Sequence, residues 1–126
     1  MLKKSAVYEG LKEAFSTGAV VAGAGAGAMV LTDPMVDPRG GALTLGLGLV
    51  DKLTVVPHFG DGTDDVHGQK LERTVALAPD GLPVVGLPER TALLRDSDGT
   101  WRHEGAAPPV VFLDGARTAG LDALQR

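Results

Sequence analysis

From Gly18 to Met29 the chain reads Gly-Ala-Val-Val-Ala-Gly-Ala-Gly-Ala-Gly-Ala-Met, an apolar run that breaks into alternating glycine and alanine. Two chemistries use a short strand that turns at once into a helix. In the first, the backbone N–H groups of the glycine-rich turn cradle a phosphate. Gly23, Gly25 and Ala28 fit a G-x-G-x-x-A dinucleotide pattern, but the acidic residue expected about 20 positions on is missing. Asp37 comes too early for that role and Asp51 too late. In the second, the turn is a nucleophile elbow, where small residues flank one reactive side chain because the strained turn passes close to neighbouring backbone.

His58 sits between Pro57 and Phe59, where an apolar run ends. Together with Asp61, Asp64, Asp65 and His67 it makes a set of two imidazoles and three carboxylates, the donor types that hold a divalent ion. The spacing is irregular and the chain has no Cys, so the set reads as a solvated acidic loop and no metal is assigned. Asp33-Pro34 and Asp37-Pro38 read as turn initiators through Asx geometry. Without cysteine there is no thiolate nucleophile and no disulfide framework. Ser5, Ser16 and Ser97 are the only serines, and none lies on a comparable turn.

The elements that must position these residues follow from periodicity. Residues 2–16 place Leu2, Ala6, Leu11, Ala14 and Phe15 on one helical face, and Gly18 stops that helix. Residues 19–22 predict a buried strand of a parallel sheet, and 26–31 the first turns of a buried helix. The two Asp-Pro pairs predict an irregular loop over 32–41, and 43–53 predicts a helical turn or bend. Further strands are predicted over 53–56 and 83–87, with a helix at 67–78 between them. A meander follows at 91–94, 100–103 and 110–113 with Asp98-Gly99 at a hairpin turn, and 115–124 predicts a short helix. Leu11, Phe15, Phe59 and Phe112 are expected in the core. The order says α/β with a mixed sheet. Only three strands suit parallel pairing, so at least one sheet edge should be exposed and need a homo-oligomer or partner chain to cover it.

The 126 residues carry a net charge of −4, with 44% hydrophobic positions, which suits one folded domain over 1–126 and excludes a disordered chain. The mild acidity gives no reason to expect nucleic acid. No apolar stretch approaches the ~20 residues of a membrane span. The residues after Met1-Leu2-Lys3-Lys4 are too polar for a signal peptide, so the expected location is cytoplasmic. Glycine is the anomaly, 18 residues, about twice its usual ~7% share.

Several segments together resemble a known family. Val20 to Met29 looks like the "G-[ST]-S-A-G-A" elbow of the cyanophycinase and aspartyl dipeptidase family of serine peptidases. Asp37-Pro38-Arg39-Gly40-Gly41 and Gly46-Leu47-Gly48-Leu49-Val50 resemble its loop and "GLGL" stretch. Val56-Pro57-His58-Phe59 is similar to its "PHF" or "QHF" strand end, and Gly86-Leu87-Pro88-Glu89-Arg90-Thr91-Ala92-Leu93 to "GIDExTAL". The resemblance spans roughly 18–113, in the right order. It implies a flavodoxin-like fold of the class I (type 1) glutamine amidotransferase-like kind, here a partial sheet of parallel strands followed by a short antiparallel meander.

The resemblance also implies the site. His58 matches the general base, and Asp37 is chosen as its acidic partner because it lies between elbow and histidine. Gly23, Ala26 and Asp61 match positions bordering a substrate cleft for a peptide-like small substrate, or for none. The nucleophilic serine should fall at position 25, where this chain has Gly25. Glu89 is given no chemical role. The chain begins near the helix before the elbow, so the resemblance is to a C-terminal half only. Three readings follow: a catalytically inactive homologue with His58 and Asp37 vestigial, a hydrolase of the family using some other group, or an anion- or nucleotide-binding module built on the Gly23–Gly27 turn. No cofactor is implied.

Overall fold

The computed structural model describes residues 2–60 and 65–125. A single 3-10 turn, Leu2–Lys4, leads into helix α1, Ala6–Ser16, whose start is capped by the Ser5 hydroxyl accepting from the Tyr8 N–H. Helix α2 covers Ala26–Val30 and helix α3 Asp65–Leu77. Four two-residue strands follow α2: β1 Thr32–Asp33, β2 Met35–Val36, β3 Leu43–Thr44 and β4 Val50–Asp51. The longer strands are β5 Thr54–Phe59, β6 Val84–Pro88, β7 Thr91–Arg95, β8 Trp101–Gly105 and β9 Val110–Leu113, with β10 Ala116–Arg117 after them. No described helix is long and apolar enough to cross a membrane.

The protein is a mixed α/β structure. Its main sheet has the order β10-β9-β6-β5, with β5 and β6 parallel and the other neighbours antiparallel. The period-2 alternation of strand side chains splits the central valines between two cores. Val56 and Val84 face one side with Met29, Val36 and Leu71, so α2, α3 and β2 cover that face. Val55, Val85 and Val111 face the other with Leu53 and Leu124, beneath Leu93 and Trp101 of the β7–β8 hairpin. On α3, Leu71, Thr74 and Val75 recur at helical spacing, and Ala78 beyond its end also packs inward. Thr74 donates its buried hydroxyl to the Gly41 carbonyl at 2.7 Å, tying the helix to the preceding loop.

Several sequence expectations need correction. Residues 19–22 form neither strand nor helix and join no sheet among the described residues, and Val20 is exposed instead of buried. A run of four apolar residues describes what a strand would bury, and among the described residues no strand pairs with it. Phe15 is likewise exposed, because α1 docks through the Tyr8 side of the helix. The Tyr8 hydroxyl donates to the Leu47 carbonyl at 2.5 Å in a buried contact. The stretches expected as loop and helical turn hold β1 to β4, since Thr32 and Asp33 pair with Val50 and Asp51 across the intervening glycines. The expected helix at 115–124 is β10 followed by a single 3-10 turn, Asp122–Leu124, that buries Leu124.

Candidate active site

Three chain segments converge at one end of the β5–β6 pair. The first is the turn at Gly25, whose φ of 55° and ψ of −122° lie outside the regions open to ordinary side chains. The turn closes tightly, Gly27 N–H donating to Ala24 O at 2.9 Å and Ala28 N–H to Gly25 O at 3.1 Å. Gly23 must be glycine, because a Cβ there would stand 2.5 Å from the Gly27 carbonyl oxygen. Beyond the turn, Met29 anchors α2 in the core. This is the shape of a strand-to-helix elbow that pushes residue 25 outward.

The second segment is the end of β5. The ladder to β6 runs in step through Val56↔Gly86, then resumes at Phe59↔Pro88, so β5 holds one residue more than its partner. That bulge contains His58, in the left-handed region at φ 60°. Bulges re-aim a side chain, and a non-glycine residue at such an angle costs roughly 1–3 kcal/mol unless its surroundings impose it. Here Phe59 packs inward against the core while His58 turns out, half exposed. The third segment is the end of β6, where Glu89 follows Pro88.

The side chains meet at His58. Its Nδ1 is hydrogen-bonded to Glu89 Oε1. A ring that donates from Nδ1 to a carboxylate carries its basic lone pair on Nε2, and the carboxylate stabilises the imidazolium formed when Nε2 takes a proton. A Cβ built on Gly25 would lie 3.6 Å from that Nε2. One further C–O bond would bring a hydroxyl within hydrogen-bond reach of the ring. The Gly25 turn, the His58 imidazole and the Glu89 carboxylate thus stand in one line of contacts.

Asp37 is placed elsewhere. Its carboxylate accepts from the Arg39 backbone N–H at 2.8 Å and from the Arg39 guanidinium at 3.2 and 3.0 Å. The Arg39 side-chain hydrogen bond, then the backbone one, hold the Asp37 carboxyl below its ordinary range. Asp37 is engaged by Arg39, and among the described residues the carboxylate at His58 Nδ1 is Glu89. Asp33 bridges too, accepting from Gly46 N–H at 3.2 Å and from Lys3 Nζ at 3.3 Å. Gly23 and Ala26 flank the elbow on its exposed surface. Asp61 and Asp64 lie outside the described residues, as do the side chains of Asp65 and His67. The sequence signal for Glu89 is partial: it closely follows the strand expected over 83–87, as His58 closely follows the one expected over 53–56.

A separate pocket of about 190 Å³ opens at the other end of β5, beside Leu53, Trp101 and Leu124 with Lys52 and Arg95 at its edge. It shares no residue with the His58 cluster.

Residues 1–101 match the model of peptidase family S51. No curated protein matches the chain.

Proposed function

Given that this chain belongs to peptidase family S51, the family of cyanophycinase and aspartyl dipeptidase, we propose that it is a serine-peptidase homologue that keeps the proton-handling pair and does not form an acyl-enzyme. One observation carries the reading: the Gly25 Cβ direction points at His58 Nε2 from 3.6 Å, while Nδ1 of the same ring rests on Glu89. In a relay of this type a serine hydroxyl at position 25 would give its proton to Nε2 as its oxygen attacks a peptide carbonyl. Glu89 would hold the ring and offset the charge it gains. Glycine has no oxygen to attack with, so a peptide-like ligand at the elbow is bound without covalent cleavage. A flavodoxin-like arrangement of the sheet belongs to the same reading.

The alternatives are an active hydrolase on aspartyl or cyanophycin-type peptides through another group, and an anion-binding turn. The second is weaker, because the Gly27, Ala28 and Met29 N–H groups already bond carbonyls inside the elbow. A fluorophosphonate probe separates the readings. Wild-type protein is expected to remain unlabelled, and the Gly25→Ser variant to label at position 25. Specific labelling of wild type, or its turnover of an aspartyl dipeptide above the buffer rate, overturns the inactive reading. A folded Gly25→Ser variant that stays unlabelled overturns the elbow assignment.

A further inference from the structure

Glu89 reaches His58 from a turn and not from a strand. β6 ends at Pro88 and β7 begins at Thr91, which leaves only Glu89 and Arg90 between them. Arg90 lies in the left-handed region at φ 53°, an angle that a non-glycine residue keeps only where its surroundings impose it. The Glu89 side chain is 47% exposed, so packing does not fix its carboxylate. Something else must hold this turn.

The segment that leaves β8 lies against it. Thr91 stands opposite Gly105 in the β7–β8 ladder. A Cβ on Gly105, itself at φ 125°, would collide with the Arg90 carbonyl oxygen, so the two backbones cross in contact. The Ala106 N–H donates to that same carbonyl at 3.0 Å. The Thr91 hydroxyl makes the next tie. It accepts from the Ala107 N–H at 3.3 Å, and its donor contacts are the Ala107 carbonyl at 3.0 Å and the Glu89 carbonyl at 3.2 Å. A hydroxyl has one proton and two lone pairs, so the proton is shared between two carbonyls while a lone pair takes the N–H. One side chain thereby joins the backbone of Glu89 to both backbone groups of Ala107.

We propose that Thr91 is a positioning residue for the His58–Glu89 pair, its hydroxyl locking the Glu89–Arg90 turn to residues 105–107 so that the carboxylate stays at His58 Nδ1. This deepens the reading of the site and rests on its His58–Glu89 contact, but not on the role of Gly25. The chain has three histidines, so long-range proton–nitrogen NMR of the labelled protein reads each ring, with His58→Gln identifying the signals. At mildly alkaline pH an ordinary histidine is neutral, and its tautomer follows the hydrogen bond each nitrogen makes. Glu89→Ala removes the acceptor and should lower the ratio of Nδ1–H to Nε2–H tautomer at His58 about fivefold or more. Thr91→Val keeps the shape and loses the hydroxyl; it should lower the same ratio about twofold or more, with unchanged circular dichroism. Thr91→Ser should keep the wild-type ratio. A residue that only fills space would give the opposite ranking, with Val harmless and Ser damaging. If Thr91→Val does not fold, Thr91→Ala takes its place against Thr91→Ser. A wild-type ratio in the folded variant without the hydroxyl, or an equal loss in Thr91→Ser, overturns the proposal. A wild-type ratio in Glu89→Ala overturns the His58–Glu89 contact itself, and the positioning role with it.

Discussion

Three Val-Val pairs lead to the three corners of the candidate site, and they meet different fates. Val55-Val56 precedes His58 and is 6% and 0% exposed, and Val84-Val85 precedes Glu89 at 1% and 0%. Val20-Val21 precedes Gly25, with Val20 at 93%. The local chemistry is nearly the same, so the difference comes from neighbours. β5 and β6 pair with each other and have helices on one face and the β7–β8 hairpin on the other. Residues 19–22 pair with no strand among the described residues. Two corners are therefore held by a ladder and a packed core. The third is held by the turn itself and by Met29 at the far side of α2.

Three experiments bear on that contrast. The largest effect should come from the ladder-held corners, in the Gly25→Ser background. There Glu89→Gln should slow fluorophosphonate labelling by about 10²–10⁴-fold, since the ring loses the carboxylate that orients it. Asp37→Asn in the same background should leave the rate unchanged. If the two effects are reversed, the acid that serves His58 is Asp37 and not Glu89.

A smaller effect should separate the strands themselves. Val56→Ala removes two methyl groups from a fully buried position and should cost about 2–3 kcal/mol in urea unfolding. Val20→Ala should change stability by no more than about 0.5 kcal/mol. Equal losses would mean that residues 19–22 are buried in the monomer.

The smallest effect concerns pH. Arg39 lowers the Asp37 carboxyl below its ordinary 3.8 through a side-chain and then a backbone hydrogen bond. A carboxylate lowered in the folded state adds stability above its unfolded value, and loses it as the pH falls through the folded value. Wild type should therefore melt above Asp37→Asn at neutral pH, with the gap closing below about pH 4. A gap that widens in acid would contradict the pairing with Arg39.

Much of this architecture is legible in the residues. The helix at α1, the breaks at Gly18 and Ala78-Pro79, the strands expected over 53–56 and 83–87 and the Asp98-Gly99 hairpin turn all follow from local rules, which depend only on nearby positions. The elbow is legible for the same reason, because alternating Gly and Ala announces close backbone approach. What local rules miss depends on distant partners. β1 and β4 look like loop because each is two residues long and exists only through the other. Phe15 reads as core because its spacing fits, yet the helix buries the Tyr8 side, where a hydroxyl can reach the Leu47 carbonyl. Asp37 looks like the acid by its order along the chain. Glu89, 31 residues from His58, comes beside it only because β5 and β6 run parallel and a single bulge brings their ends level.

By itself, then, the sequence determines that position 25 has no reactive atom, that the turn around it must be tight, and that a histidine ends the next long strand. Those are statements about residue identity and local geometry, and no folding can alter them. The tertiary structure decides which carboxylate meets the histidine, that its ring faces the glycine, and that Val20 before the elbow is left exposed. Each of those depends on the register of strands far apart in the chain, which a parallel ladder, a bulge and two packed cores set together.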